Sequence, residues 1–347
     1  MNKSFLIINP FGIGDVLFST PLIRNIKKTL PHSRIFYLCN RRSYPVLKDN
    51  PLIDKCFIYE RDEFKALQKK SAVAWLKKFY SFISQIRREK IEIALDLSLN
   101  SQFSFLSWAA GIKQRIGYDY KKRGWLLTKK IVFSGYQDKH VIEYYLELLR
   151  FIGIEPAHKE IELFLKDNSK KSNDLFVVIA PGGGASWGRQ AFHKRWPGEK
   201  FAELADRIIG DLKVKVVLSG SEQEKGLIDQ TASLMSHQPD KAVGLELIDF
   251  LKLLKEAKLL VANDGGPIHM AVGLGIKTLS IFGPVSELVY GPYPPDSNKH
   301  IVIKADLPCR PCYNNFRLSE CLYDRKCLEN IDVSAVFKAA RSLITQH

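Results

Sequence analysis

Short runs of β-branched and aromatic residues alternate with longer amphipathic stretches along most of the chain. The apolar runs at 4–9, 34–39, 55–59 and 92–97 predict strands. Residues 72–88 repeat apolar side chains at spacings of three and four, which predicts one buried face of a helix. Strands that alternate with helices usually pair in parallel, so this half of the chain is predicted to be a doubly wound α/β domain.

The same alternation begins again in the second half of the chain. Residues 165–174 (L-K-D-N-S-K-K-S-N-D) are polar and without periodicity, which is typical of a linker. The chain length of 347 residues also corresponds to two domains of ordinary size. We therefore predict two doubly wound parallel-sheet (Rossmann-like) α/β domains, 1–165 and 175–330, and a closing helix within 331–347. The predicted strands of the second half are 175–180, 215–219, 259–262 and 278–282, and its helices are 197–209 and 333–345.

The charge balance is strongly basic. There are 52 Lys and Arg against 37 Asp and Glu, so the formal net charge is +15. Such an excess indicates a polyanionic partner, which is a nucleic acid, an anionic membrane surface, or a phosphorylated or carboxylated substrate. No apolar run approaches the roughly 18–20 residues of a membrane-spanning helix. Pro10 and Asp15 interrupt the apolar start, so we expect a first strand rather than a signal peptide, and a cytoplasmic protein.

Six cysteines fall into two groups. Cys39 and Cys56 lie in strand-like segments and are expected to be buried thiols. The other four lie within nineteen residues near the end of the chain, and a disulfide framework is disfavoured in a reducing cytosol. C-x-x-C followed by two further cysteines has the ligand types of a structural zinc site, but the second pair lacks the usual C-x-x-C spacing, and a thiol-rich turn is the alternative. The four are Cys309, Cys312, Cys321 and Cys327.

The first of three glycine-rich turns is N-P-F-G-I-G-D at 9–15, between a predicted strand and a helix. Gly12 and Gly14 fit the dinucleotide-binding pattern, but Leu17 stands where its third glycine belongs. Asp15 would also repel a pyrophosphate at the helix start, so a nicotinamide dehydrogenase is disfavoured. Asp15 is either a helix-capping residue or a carboxylate suited to act as a general base.

The second turn lies at 180–197 and contains three consecutive glycines after a strand. Glycines allow a backbone to approach a ligand closely, and Lys194 and Arg195 come just before a predicted helix start at Pro197. A lysine, backbone amides and a helix N-terminus together make an anion site. The alternative is a surface loop with incidental basic residues. The segment does not match a Walker A loop.

The third turn, N-D-G-G-P-I-H at 263–269, again joins a strand to a helix. Gly265 and Gly266 offer backbone amides at the helix start. Asp264 is a candidate acceptor for a ligand hydroxyl or an N-cap. His269 is either a packed core residue or a group that faces the ligand.

These turns, in this order, resemble glycosyltransferase family 9, the ADP-heptose:lipopolysaccharide heptosyltransferases. The resemblance is carried by F-G-I-G-D-V-L-F-S-T-P near the start, K-R-W-P at 194–197, N-D-G-G-P-I-H-M-A from residue 263, and C-R-P-C at 309–312. The stretch K-K-R-G-W-L-L-T at 121–128 also looks like the family. The similarity spans nearly the whole chain, and the ordered set is more specific than any one motif.

The resemblance implies a GT-B fold, with an N-terminal acceptor-binding domain, a C-terminal nucleotide-sugar domain and a cleft between them. It implies that the closing helix packs back on the first domain. It also implies inverting transfer of heptose from ADP-heptose to a lipopolysaccharide inner-core acceptor, with no required cofactor and no catalytic metal. The expected protein is a monomer, peripherally associated with the inner face of the cytoplasmic membrane, where its acceptor is an anionic glycolipid.

Motif matching assigns roles to individual residues. Asp15 is the base that deprotonates the acceptor hydroxyl, and Lys194 neutralises the donor phosphates. Glu222 looks like the ribose-binding acid, with Glu224 as a possible substitute. The residue after the late aspartate, usually threonine or serine in the family, is a glycine here. The donor-binding set implied in this way is Gly12, Gly14, Gly182, Gly183, Gly184, Ser186, Glu222, Asp264, Gly265, Gly266 and His269.

Elementary chemistry agrees with this scheme. A nucleotide diphosphate leaves, so catalysis needs stabilisation of developing phosphate charge, which a lysine and helix-terminal amides supply without a divalent cation. No D-x-D pair lies near these turns. Direct displacement by a deprotonated hydroxyl inverts the anomeric carbon.

On the acceptor side, cations and an aromatic ring at Lys121, Lys122, Arg123 and Trp125 are candidates for anionic groups and a sugar face. The basic residues of 72–88 have the simpler interpretation of a solvated helix face. Two other functions stay open. One is transfer of a different sugar from another nucleotide to a cell-surface glycan. The other is a basic nucleic-acid-binding protein, which is disfavoured because the basic residues are dispersed and no recognisable nucleic-acid module is present.

Overall fold

The computed structural model describes residues 3–166, 175–183, 185–296 and 298–346, and it contains two compact units. The first unit comprises the described residues up to Gly135 together with Val141–Phe164. The second comprises Tyr136–His140 and the described residues from Leu165 onward. Most of the predicted linker, 167–174, lies outside the described residues. No helix in the described ranges is both long and apolar enough to cross a membrane.

The first unit is a six-stranded parallel sheet with helices between successive strands. Its strand order is β3-β2-β1-β4-β5-β6. The strands are β1 (Ser4–Ile8), β2 (Arg34–Cys39), β3 (Lys55–Ile58), β4 (Ile93–Asp96), β5 (Gln114–Tyr120) and β6 (Lys129–Phe133). The helices are α1 (Ile13–Phe18), α2 (Thr20–Thr29), α3 (Arg61–Lys70), α4 (Ala72–Arg88), α5 (Ser101–Ala109) and α6 (Val141–Glu147), with 3₁₀ turns at Tyr44–Val46 and Leu148–Ile152.

The central position of β1 in this sheet explains why its sequence is entirely apolar or small. Every residue of β1 is buried, because helices cover both faces of a parallel sheet. Leu6 and Ile8 of β1 pack with Ile86 of α4 and Leu106 of α5 in one core cluster. Other side chains of these helices, such as Tyr80 and Trp108, are exposed.

The second unit repeats this architecture with strand order β12-β11-β10-β7-β8-β9, again all parallel. Its strands are β7 (Phe176–Ala180), β8 (Lys215–Gly220), β9 (Asp240–Val243), β10 (Leu259–Asn263), β11 (Lys277–Phe282) and β12 (His300–Lys304), followed by a small hairpin of β13 (Tyr313–Asn314) and β14 (Arg317–Leu318). Its helices are α7 (Gly198–Leu212), α8 (Lys225–Ser233), α9 (Leu247–Glu256), α10 (Gly266–Gly273), α11 (Glu287–Tyr290), α12 (Lys326–Glu329) and α13 (Val333–Thr345), with 3₁₀ segments at Ala185–Lys194 and Glu222–Glu224. The prediction of two doubly wound parallel sheets is confirmed.

The closing helix α13 buries its apolar face in the core of the second unit. Val336, Ala340 and Leu343 pack in the same cluster as Phe201 of α7 and Val261 of β10. The expectation from the resemblance was that this helix packs back on the first domain. The contacts of its buried face are with α7, β10 and β11 of the second unit, and packing of α13 on the first domain stays a prediction.

The strand order of each sheet reverses at one place, which is called its topological switch point. Ligands of doubly wound sheets bind beyond the carboxyl ends of the strands, where the strand order reverses. In the first unit this switch point lies between β1 and β4, where Ile8 pairs with Asp96. In the second unit it lies between β7 and β10, where Ala180 pairs with Ala262. All three glycine-rich turns follow β1, β7 or β10.

A short segment between β6 and α6 belongs to the second unit although its neighbours in sequence belong to the first. A ring nitrogen of His140 lies 3.1 Å from the carbonyl oxygen of Gly291, and the His140 ring stacks on Tyr293 at 4.4 Å. The side-chain amide of Gln137 donates to Asn315 at 3.0 Å. These contacts fix Tyr136–His140 to the second unit.

Candidate active site

The glycine turn after β7 is shaped by what surrounds it. A Cβ at Gly182 would overlap the carboxylate of Glu224, and Gly183 has a φ of +137°, which side chains rarely adopt. The backbone N–H of Gly183 donates to Glu224 at 2.8 Å. Glycines are therefore required at both positions. Gly184 lies outside the described residues, and the side chain of Ser186 lies outside them as well.

Asn263 at the end of β10 joins this turn to two other segments. Its side-chain amide donates to the carbonyls of Pro181 at 2.8 Å and Gly182 at 2.9 Å. Its oxygen accepts the backbone N–H of Trp196 at 2.9 Å. Asn263 and Trp196 are each 1% exposed. One buried side chain thus holds the glycine turn, the K-R-W-P segment and the late turn together.

Lys194 and Asp264 form an ion pair at the switch point of the second sheet. The Nζ of Lys194 lies 2.5 Å from Oδ2 of Asp264, and the two side chains are only 9% and 6% exposed. The ammonium also lies 4.6 Å from the ring centroid of Trp187, which stacks on Tyr313 at 4.8 Å. Burial excludes the alternative of an incidental surface lysine. It also means that the ammonium is desolvated, so its electrostatic interactions, here with Asp264, are stronger than they would be in water.

His269 lies in α10 and is buried. Burial and the positive charge of Lys194 lower its pKa to about 3, from an ordinary 6.5. The imidazole is therefore neutral near pH 7. Gly265 and Gly266 stand at the start of the same helix, whose N-terminal amides carry partial positive charge. Lysine, aspartate, neutral histidine and helix start are thus one constellation, and it has the composition of an anion site.

Two glutamates follow β8, and they differ in their contacts and exposure. Glu224 accepts the N–H and hydroxyl of Ser221 at 3.0 and 2.9 Å and pairs with Arg195 at 3.5 Å. Burial raises its pKa, but these hydrogen bonds, that from Gly183 and the Arg195 charge outweigh burial and lower the pKa overall. Glu222 is exposed, and its carboxylate lies against Gly244. Glu224 is therefore engaged in holding the turns, and Glu222 as the ribose-binding acid stays a prediction.

Asp15 lies in the first turn of α1, directly after β1. Gly12 occupies the N-cap position, so Asp15 is inside the helix rather than its N-cap. A Cβ built on Gly12 would lie 3.5 Å from Oδ2 of Asp15 and 3.7 Å from a guanidinium nitrogen of Arg42. The glycine therefore leaves room beside a half-buried carboxylate and an arginine. Gly12 and Gly14 belong to the first unit, apart from the other predicted donor residues.

A second carboxylate, Asp96, ends β4 on the other side of the same switch point. Asp96 is 4% exposed and accepts the backbone N–H of Ser98 at 2.9 Å and its hydroxyl at 2.5 Å. Burial outweighs these hydrogen bonds and raises its pKa to about 6. Asp15 and Asp96 therefore mark the two strand ends at which a ligand of the first sheet is expected.

The predicted acceptor residues form an exposed turn after β5. Lys121 and Lys122 have φ values of 52° and 59°, and Gly124 donates its N–H to Asp119 at 2.8 Å. Trp125 is 66% exposed. Lys121 lies 4.9 Å from the ring centroid of Tyr120. The structure brings Lys121, Lys122, Arg123 and Trp125 together at the carboxyl edge of the first sheet.

The four late cysteines neighbour the small hairpin of β13 and β14 as free thiols. Within the described ranges, no three or more Cys, His, Asp or Glu side chains are placed so that they could hold one metal ion. The thiols are close enough to affect one another, since burial and the charges of the other three raise the pKa of Cys327 to about 11. The zinc prediction gains no support from this arrangement.

Comparison with known proteins bears on the chemistry of these turns. Residues 79–322, more than two thirds of the chain, match the model of glycosyltransferase family 9 (heptosyltransferase). The chain belongs to this family. It is 23% identical over 295 residues to lipopolysaccharide heptosyltransferase 3 of Escherichia coli, covering 81% of this chain and 83% of that protein.

Solved structures show the same fold for this glycosyltransferase. A glycosyl transferase family 9 protein from Veillonella parvula superposes with a TM-score of 0.78 at 22% identity, covering 99% of this chain and 97% of that one. The ADP-heptose lps heptosyltransferase II of E. coli gives 0.77 at 21% identity, covering 99% and 98%. The GT-B fold and the glycosyltransferase class expected from the resemblance are confirmed.

Several site residues of the glycosyltransferase escaped sequence reasoning. Asn263 connects three segments of the second unit through its hydrogen bonds. The one sequence feature that pointed to it was its position directly after the predicted strand 259–262. Arg195 stood in the quoted motif, but its partner Glu224 lies 29 residues away. Trp187, in the segment after β7, and Asp96, the last residue of β4, gave no local signal beyond those positions.

The raised pKa of Asp96 predicts a pH-dependent cost to stability. The carboxyl titrates near 3.8 when unfolded and near 6 when folded, so the folded chain holds an extra proton between these values. Stability from this group therefore falls as pH rises from about 4 to 6, and the full cost is present above 6. We expect Asp96→Asn to be more stable than the wild type at pH 7.5, by at most about 3 kcal/mol, because one pKa unit corresponds to about 1.4 kcal/mol.

Thermal unfolding at a series of pH values measures this. At pH 4 the native carboxyl is protonated, so variant and wild type should there have similar melting temperatures. A difference that is constant from pH 4 to 8 would contradict the assignment.

Proposed function

We propose that this family 9 glycosyltransferase transfers heptose from ADP-heptose to an inner-core acceptor of lipopolysaccharide, with inversion at the anomeric carbon and without a catalytic metal. One observation carries the proposal: the buried Lys194–Asp264 pair beside the start of α10, at the switch point of the second sheet. The names of similar proteins support it, because one is a lipopolysaccharide heptosyltransferase and another an ADP-heptose lps heptosyltransferase.

The donor side of the proposal lies on the second unit. As the bond between the sugar and ADP breaks, negative charge develops on the diphosphate, and Lys194 with the Gly265 and Gly266 amides stabilises it. Asp264, which orients the ammonium beforehand, accepts a sugar hydroxyl. Glu222 accepts the ribose hydroxyls. The glycine turn (Gly182, Gly183, Gly184), Ser186 and neutral His269 complete this set, and Gly12 and Gly14 are retained in it as backbone contacts.

The acceptor side lies on the first unit. Asp15 takes the proton of the acceptor hydroxyl, the oxygen attacks the anomeric carbon, and ADP leaves from the opposite face. Lys121, Lys122 and Arg123 bind anionic groups of the acceptor, and Trp125 packs on a sugar face. Such an acceptor is a glycolipid, so we also propose that the enzyme acts as a monomer at the inner surface of the cytoplasmic membrane. A structural zinc at the four cysteines would take no part in the transfer.

The transfer itself is tested with a purified lipid A–core extract that lacks heptose. Incubation with the enzyme and ADP-heptose should raise the acceptor mass by one heptosyl residue. UDP- and GDP-sugars serve as comparison donors, each also scored by protection against thermal unfolding. A mass increment with one of those sugars, and none with ADP-heptose, would replace the proposed donor.

Asp15→Asn should slow transfer by about 10²–10⁴, because general-base catalysis typically contributes that much. Affinity for ADP should stay unchanged, since Asp15 acts on the acceptor. Asp62→Asn, an exposed aspartate at the start of α3, is the matched control and should keep full rate. Single-turnover rates and ADP titration calorimetry give the two readouts. Wild-type turnover in Asp15→Asn would remove the base assignment.

Lys194→Met should weaken ADP binding at least tenfold and slow transfer by about 10²–10³, as loss of a charge-stabilising donor does. The single variant leaves Asp264 buried without its partner and will lose stability. The double variant Lys194→Met/Asp264→Asn removes both charges and should recover the melting temperature but not the ADP affinity. Lys225→Met, an exposed lysine of α8, is the control. A stable double variant that binds ADP like the wild type would refute the phosphate role.

A further inference from the structure

An exposed apolar surface covers α4 and the neighbouring α5 of the first unit. Val73, Leu76 and Tyr80 lie on one face of α4 and are 77%, 57% and 73% exposed. On α5, Phe105 and Trp108 are 39% and 53% exposed. We call these five residues the α4–α5 patch. Large apolar side chains scattered singly on a surface are ordinary, whereas a contiguous group marks an interaction site.

A row of ring contacts links α4 to Phe105 and Trp108, the two members of the patch on α5. Trp75 stacks on Phe79 at 5.1 Å, Phe79 lies 6.2 Å from Phe105, and Phe105 lies 5.6 Å from Trp108. Trp75 and Phe79 of α4 are half-buried and pack against the core of the first unit. The rings of Phe105 and Trp108 are exposed to solvent. An aromatic row held in this way is preorganised for binding.

The surroundings of the patch are basic. From Phe64 to Arg88 the sequence has seven Lys or Arg and no Asp or Glu, and all seven are exposed. Lys78 is paired with Glu63 at 2.9 Å, and Asp62 is the other acid at the start of α3. The seven are Lys65, Lys69, Lys70, Lys77, Lys78, Arg87 and Arg88. The simpler interpretation of the α4 cations, a solvated helix face, is incomplete. It does not explain why exposed aromatic rings such as Tyr80 lie on the same helix.

We infer that the α4–α5 patch docks the enzyme on an anionic phospholipid bilayer, with the apolar side chains in the interfacial layer and the basic residues against lipid headgroups. Amphipathic helices with aromatic residues on one face and lysines around it bind lipid surfaces in this way. A second copy of the chain is a poorer occupant, because a two-fold interface would set this basic rim against itself. The inference deepens the proposed function, on whose membrane-bound acceptor it rests.

The position of the patch suits that acceptor. Crossover helices run antiparallel to the strands, so the start of α4, with Val73 and Leu76, lies towards the carboxyl edge of the first sheet. Helix α5 begins five residues after Asp96, at the same edge. A glycolipid head that emerges from a bilayer touching the patch would therefore meet the edge that carries Asp15.

The test is sedimentation of the full-length protein with vesicles of phosphatidylglycerol and phosphatidylcholine, free of glycolipid and donor. Wild type should bind, more weakly at 500 mM than at 50 mM NaCl and hardly at all to phosphatidylcholine alone. Leu76→Glu/Tyr80→Glu should reduce the partition coefficient at least tenfold. Val132→Glu/Leu322→Glu, which changes two apolar residues elsewhere that are even more exposed, is the matched control and should bind normally.

Other outcomes separate this inference from the proposed function. Transfer to a deacylated, water-soluble core acceptor should be unchanged in Leu76→Glu/Tyr80→Glu, which also shows that the variant is folded. If the wild type binds vesicles but transfers no heptose, and Leu76→Glu/Tyr80→Glu does not bind vesicles, the proposed function is refuted and the docking surface is supported. Equal vesicle binding by variant and wild type overturns the docking surface. A wild-type dimer that the substitutions dissociate, found by analytical ultracentrifugation, overturns it in favour of a second copy.

Discussion

The hydrogen bonds of the Asn263 side chain hold together the segments that form the candidate site of the second unit. Three hydrogen bonds from one buried amide connect segments that are 67 to 82 residues apart in sequence. Each bond satisfies a backbone group that has lost contact with water, and such groups are costly to leave without a partner. Lys194 precedes the Trp196 anchor by two residues and Asp264 follows Asn263 directly. The ion pair at the switch point is therefore positioned by a neutral group beside it.

The strands that the sequence predicted well are the ones buried on both faces. The central strands, such as β1 and β10, read as continuous apolar runs because helices cover both sides of the sheet. Strands farther from the centre, such as β5 (Q-R-I-G-Y-D-Y) and the edge strand β9 (D-K-A-V), contain charged residues and gave no clear pattern. Strand order was also beyond the sequence, since it is set by which apolar faces the helices can cover together.

The candidate site divides in the same way. Glycine turns after strands have local signatures, so Asp15, Lys194 and Asp264 could be named from sequence. The choice between Glu222 and Glu224 could not, because both stand in one turn and only tertiary contacts distinguish them. Glu224 reaches Gly183 and Arg195 across the fold. A residue whose function is to hold other residues has its partners far away in sequence, and motif matching does not see them.

Charge in this protein is divided between two environments. A buried lysine and aspartate in the second unit lack the solvation that water would give, and they are tolerated because each completes the other. The exposed cations of α3 and α4 keep their solvation. Dissolved salt therefore screens their electrostatic interactions far more than it screens the buried ion pair. The net charge of +15 that the composition records is mostly of the second kind.

The segment Tyr136–His140 has a consequence for how such enzymes can be recombined. The polypeptide enters the second unit there, returns to the first for α6, and leaves it again at Leu165. The second unit is thus not one contiguous stretch of sequence. A hybrid that joins the first unit of one relative to the second unit of another at a single breakpoint near residue 165 would carry the wrong partner for Gly291, Tyr293 and Asn315. Natural or engineered exchange between relatives should therefore favour breakpoints that move 136–140 together with the second unit.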